Sequence, residues 1–121
     1  MDRTKIVQLL DKLLVFEDIL ACMVVKKGLD GIVPSKVRIK NIDLWRLVHQ
    51  TTDDVFDLID KFYSYGVGRI NLELGEYNII IAPISRTVSL LVLTPSLANV
   101  GLLDVEIENT KLQILGLAEA A

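Results

Sequence analysis

Residues 69–95 read RINLELGEYNIIIAPISRTVSLLVLTP, and this stretch decides the fold. From Arg69 to Leu74 the side chains alternate strictly, with Arg69, Asn71 and Glu73 on one side and Ile70, Leu72 and Leu74 on the other. A period of two marks a half-buried strand. Gly75-Glu76 places glycine at the first central position of a two-residue turn, as a type II′ hairpin requires. Tyr77–Ile84 and Thr87–Thr94 then become apolar at successive positions (Ile79-Ile80-Ile81 and Leu90-Leu91-Val92-Leu93), so they read as central strands covered on both faces. Ser85-Arg86 joins them as a second hairpin, and Pro95 closes the run. Strands joined by such short turns are antiparallel.

Upstream, the period changes to that of a helix. Asn41 or Asp43 can cap a long helix that runs to Tyr65, with Gly66 as its stop. One apolar row is Leu44, Val48, Thr51, Val55, Leu58, Phe62 and Tyr65. A second row, Trp45, His49, Thr52, Phe56, Ile59 and Tyr63, lies beside it. One row suffices to dock a helix on a sheet, and two make a stripe wider than the usual amphipathic face. Asp53, Asp54, Asp57, Asp60 and Lys61 are left for water.

Further upstream, Ile32–Ile39 reads as a strand, but Pro34 cannot donate to a ladder and marks a sheet edge. Lys26–Gly31 is a turn with two glycines, and the apolar run Ile19–Val25 is a buried strand. From Asp2 or Thr4 to about Phe16, Ile6, Leu9, Leu10, Leu13 and Leu14 have helical spacing. Downstream, Ser96 can cap a last helix over Leu97–Leu115, ahead of a frayed tail at 116–121. The expected architecture is α+β: a five-stranded, mainly antiparallel sheet sandwiched by three helices in one domain, 1–121. The Pro34 strand forms one edge and Arg69–Leu74 the other.

Composition bounds what such a domain does. The chain has 121 residues and is 51% apolar, and Leu, Ile and Val fill 46 positions. Mean hydropathy is +0.44. This is more apolar surface than so small a domain hides easily. No window approaches the ~18 uninterrupted apolar residues of a membrane span, and there is no signal-peptide core, so the cytoplasm is the expected compartment. The formal net charge of −3 and the lack of a basic face argue against nucleic-acid binding.

Catalytic material is thin. His49 is the single histidine, and Asp53 one turn on could orient it as a general base, but no nucleophile or metal partner accompanies it. Half-buried packing is the simpler reading. Cys22 sits in an apolar strand, where a thiol is inert packing. No metal, cofactor or phosphate-loop pattern is present. Tyr65-Gly66-Val67-Gly68 ends a helix rather than opening one. In Asn99-Val100-Gly101 the glycine reads as a close-packing residue rather than part of an anion site.

The order helix–strand–strand–helix–three strands–helix resembles the Roadblock / dynein light chain domain family, a profilin-like sandwich. Residues 21–35 are similar to its first hairpin and residues 71–81 to its next. Leu90–Pro95, followed by Asn99-Val100-Gly101-Leu102-Leu103, resembles its last strand and last helix. The resemblance implies a dimer that joins Arg69–Leu74 strands edge to edge and packs the long helices together. The expected interface is then Trp45, His49, Thr52, Phe56, Ile59, Tyr63, Arg69, Asn71 and Glu73, and glutamate at Phe56 or Ile59 is expected to give monomer or aggregate. The resemblance further implies a non-catalytic partner of the chain itself and of a Ras-like small GTPase, with no cofactor. A light-chain-like structural adaptor and a small-ligand-sensing domain are the alternatives.

Overall fold

The computed structural model describes residues 2–28, 31–35, 42–98 and 100–120. Helix α1 spans Arg3–Leu13, strand β1 Ala21–Lys26, α2 Ile42–Gln50 and α3 Thr52–Phe62. Strands β2 (Ile70–Leu74), β3 (Tyr77–Ser85) and β4 (Val88–Pro95) follow, and α4 (Val100–Ala120) closes the order. The sheet order is β1-β4-β3-β2, with every pair antiparallel. Helices lie on both faces, as the apolar runs in β3 and β4 require.

Alternation sorts the core into two halves. Cys22, Val24, Ile80, Ala82, Leu90 and Val92 point to one face and pack with Ile6 and Leu10 of α1 and Leu103, Ile107 and Ile114 of α4. Met23, Val25, Ile79, Ile81, Leu91 and Leu93 point to the other and pack with Val48, Phe56 and Ile59 of α2 and α3. Each buried Leu or Ile contributes about 1.5–3 kcal/mol. Cys22 is part of this packing: its Sγ donates to the Leu10 carbonyl oxygen at 3.5 Å. Burial, reinforced by the charge of Asp11, pushes its thiol up to about 12.

The β2–β3 turn is as expected. Leu74 pairs with Tyr77, and Gly75 takes φ +63 while no non-glycine among the described residues has positive φ, which is the II′ pattern. The second hairpin shifts by one residue: Ser85 pairs with Val88, leaving Arg86-Thr87 as the loop, next to a register irregularity at Pro83/Ser85.

Four expectations are corrected. The described residues hold four strands and four helices, where five strands and three helices were expected. The expected strand Ile32–Ile39 is represented among the described residues by a bridge at Ile32 alone. Ile32 exchanges both backbone hydrogen bonds with Val24, at 2.9 and 2.7 Å, and the ladder stops at that bridge. Pro34 explains the stop, since it has no N–H to offer. Residues 36–41 lie outside the described residues. The fourth helix arises because the long helix breaks at Thr51. The Oγ1 atoms of Thr51 and Thr52 donate to the carbonyl oxygens of Val48 and His49, both at 2.9 Å, and compete with the helical ladder. The C-terminal helix starts at Val100, after a turn closed by Ala98 N–H on Pro95 O, and runs through the supposed tail to Ala120. Gly101 faces solvent and is not a close-packing residue against the sheet.

Candidate functional site: an open strand edge beside an apolar helix end

Strand β2 is the sheet edge on one side, bonded to β3 alone. Its register places Ile70, Leu72 and Leu74 opposite Ile81, Ile79 and Tyr77, on the face that carries α3. Leu72 and Leu74 are each 42% exposed there. An open edge with apolar side chains invites strand addition.

The end of α3 adds to this surface. Leu58, Phe62, Tyr63 and Tyr65 are all exposed, and the Phe62 and Tyr65 rings lie 6.4 Å apart between centroids. Gly66 caps the 3₁₀ turn Tyr63–Tyr65 with φ 78, the left-handed stop read in the sequence. The result is an apolar helix end and an open edge on the same side of the sheet.

An ion cluster pins α3 in place. Lys27 Nζ and Arg86 Nε each reach a carboxylate oxygen of Asp60 at 2.8 Å, and the Arg86 guanidinium lies 4.8 Å from the centre of the Tyr63 ring. Hydrogen bonds from Lys27 and then Arg86 hold the Asp60 carboxyl below its ordinary value of 3.8. The same bonds raise Lys27 and Arg86. A depressed carboxylate stabilises the fold above its unfolded pKa, and that contribution disappears as pH falls through the lower folded value. Asp60→Asn is therefore expected to lower the melting temperature modestly at pH 7 and to flatten its fall below pH 4. Thermal melts across pH 2.5–7, a range of about four and a half units around that linkage, check this.

The residues expected at the interface are placed as follows. Phe56 and Ile59 are each 1% exposed, packed against the protomer's own sheet. Thr52 is half-buried and its hydroxyl donates back to the His49 carbonyl oxygen at the end of α2, and Tyr63 is exposed. His49 is half-buried against the loop at Gly31, where an added Cβ would sit 3.6 Å from its Nε2. No hydrogen bond joins His49 to Asp53 among the described residues. The side chain of Trp45 lies outside the described residues. Arg69, Asn71 and Glu73 point to the α4 side, where Arg69 ion-pairs with Asp104 and with Glu108, the latter at 3.8 Å. Asn71 and Glu73 are exposed.

The inward side of α2 and α3 lies between the two rows. Val48 docks α2 and Val55 packs on the sheet from the first row, whereas Phe56 and Ile59 dock α3 from the second. At roughly 100° per residue these four positions fall on one side of the helical path. Downstream of Thr51 the outward row is Leu58, Phe62 and Tyr65, which the sequence reading had not singled out as partner-facing.

Among the described residues no group of three His, Cys, Asp or Glu is placed to hold a metal ion, and no helix is long and apolar enough to cross a membrane.

A sheet of this order between two helical layers is the Roadblock-type fold. Over 100% of both chains it superposes on Myxococcus xanthus MglB with a TM-score of 0.81 at 18% identity. A Roadblock/LC7 domain from Streptomyces avermitilis matches with a TM-score of 0.70 at 14% identity, over 93% of this chain and 96% of that one. The gliding protein MglB of Thermus thermophilus matches with 0.72 at 11% identity, over 98% and 92%. No protein-family model and no curated protein sequence matches the chain.

Proposed function

We propose that this chain is a non-catalytic, cytoplasmic homodimer that serves as a regulator or platform for a Ras-like small GTPase. The observation that carries the reading is that Leu58 and Phe62 of α3 and Leu72 and Leu74 of β2 are exposed on the same side of the sheet as the open β2 edge, on a fold that matches MglB end to end. Two copies related by a two-fold axis would add β2 to β2 and bury the same patch twice. The pairing would extend each four-stranded sheet into a continuous one of eight.

Regulation through such a dimer is allosteric. A GTPase bound to it is biased when its two nucleotide states differ in affinity for the platform. Arg69 and Arg86 are tied into ion pairs, so neither is a free guanidinium of the kind that stabilises phosphoryl transfer in trans.

The test is nucleotide hydrolysis by a small GTPase from the same cells, with and without this protein, together with pull-downs in the GDP and GTP-analogue states. The reading expects binding that differs between the states and a changed hydrolysis rate, with no turnover by this protein alone. Absence of binding in both states would overturn it and favour a light-chain-like adaptor built on the same dimer.

A further inference from the structure

The layer formed by α1 and α4, on the opposite side of the sheet from α3, has its own unexplained surface. Helix α4 is apolar on two sides. Leu103, Ile107 and Ile114 face the core, while Leu102, Val105 and Leu112 point outward, at 64%, 59% and 56% exposed. With Asn109, also exposed, they follow the 3-4-3 spacing of a helix seam (102, 105, 109, 112). The inward row already docks α4 on the sheet, so the seam is surplus to the core of one chain. Asn109 is its one polar position, and a single amide in an apolar seam fixes the register of a partner. Glu106 and Glu108 flank the seam on its two sides. Glu106 enters no ion pair among the described residues. Glu108 lies 3.8 Å from Arg69 and 3.7 Å from Lys111 and keeps half of its side chain exposed.

Helix α1 packs beside α4, and its solvent side has the opposite character. Lys5, Gln8 and Lys12 are exposed there, and neither lysine is ion-paired among the described residues. They repeat the 3-4 spacing of the seam, and Lys5 and Lys12 stand two turns apart, as do Val105 and Leu112. One face thus carries an apolar strip with an acidic fringe and a basic strip, side by side. A two-fold axis running between the helices would lay each strip on its complement in the other copy. The lysine stems would cover the apolar seam, their ammonium groups would reach the flanking glutamates, and the Gln8 amide would meet Asn109.

We infer that the α1/α4 face binds a second copy of this chain, α1 of each protomer lying over α4 of the other. This contact is independent of the α3/β2 face. With both in use, the particle contains four chains.

The experiment is the mass of the full chain by sedimentation and light scattering at several concentrations, with circular dichroism as the check on folding. Wild type is expected to reach four times 13.5 kDa. Lys5→Glu with Lys12→Glu, both exposed positions, is expected to raise the dissociation constant of this contact about tenfold or more, because each like-charge clash occurs twice by symmetry. Adding Glu106→Lys should recover affinity by restoring an opposite-charge pair. Val105→Glu with Leu112→Glu should abolish the contact and leave a particle held by α3/β2 alone. The Leu58→Glu, Leu72→Glu variant should keep the α1/α4 contact, so failure of one face is distinguishable from failure of the other. A mass unchanged by the lysine reversals and by Val105→Glu with Leu112→Glu would overturn the inference.

Discussion

Phe56→Ala is expected to destabilise the fold by about 3–5 kcal/mol, which lowers the melting temperature by ~10–20 °C in a domain of this size. Phe56 is the largest of the fully buried side chains among the described residues, and it joins α3 to the sheet face formed by Ile79, Ile81, Leu91 and Leu93. Removing the ring forfeits its transfer free energy and leaves a cavity that β-branched neighbours fill poorly. The loss is a large part of the ~5–15 kcal/mol that holds a typical domain together. Glutamate at the same place, or at Ile59, leaves an unpaired carboxylate in the core and prevents folding altogether. Such variants therefore report on the protomer's core and cannot test a partner face. Urea titration of Phe56→Ala checks the value, and a melting temperature within ~3 °C of wild type would show that α3 is not docked this way.

The second large effect concerns association. Leu58→Glu combined with Leu72→Glu is expected to separate the α3/β2 pair while leaving each protomer folded. Both side chains are 42% exposed, so neither carboxylate is buried in the single chain. Across a two-fold contact each glutamate meets apolar surface or its own counterpart, and four charges enter one interface. A drop of about a hundredfold or more in affinity follows from desolvating them, at ~1.4 kcal/mol per tenfold. Light scattering reads the halved mass, and circular dichroism shows an unchanged fold.

How much of this is written in the sequence depends on how local the signal is. The 69–95 stretch was legible because its turns are two residues long and its periodicity changes where burial changes. β2 as an edge followed from its polar alternation, and the central place of β3 and β4 from their unbroken apolar runs. Gly66 and Gly75 were readable because their positions require positive φ, which glycine adopts at least cost. The strand read over Ile32–Ile39 was less legible: Pro34 lacks the N–H that a ladder needs, and among the described residues the pairing beside it is a single bridge. The helix break was hidden because Thr51 and Thr52 are tolerated inside helices, and only their hydroxyl bonds to Val48 and His49 show that they end one. The candidate interface was misplaced for a different reason. A two-row stripe spans one broad side of a helix and the core takes the strip between the rows, so Phe56 and Ile59 of the second row turn inward while Leu58 and Phe62 of the first stay exposed.

The claim that the open β2 edge pairs with its own copy has a direct chemical test. In antiparallel pairing the Cα atoms of opposed residues lie about 4.5–5.5 Å apart, inside the ~4.4–6.8 Å that a disulfide spans. Cysteine is placed in turn at Asn71, Leu72 and Glu73, and the full chain is oxidised mildly and run on a non-reducing gel. Cys22 is buried and its thiol stays protonated, so wild type supplies the blank. The account predicts a covalent pair of twice 13.5 kDa from at least one of the three positions and none from wild type. Three variants that all remain single chains under conditions that oxidise an exposed control cysteine pair would contradict it.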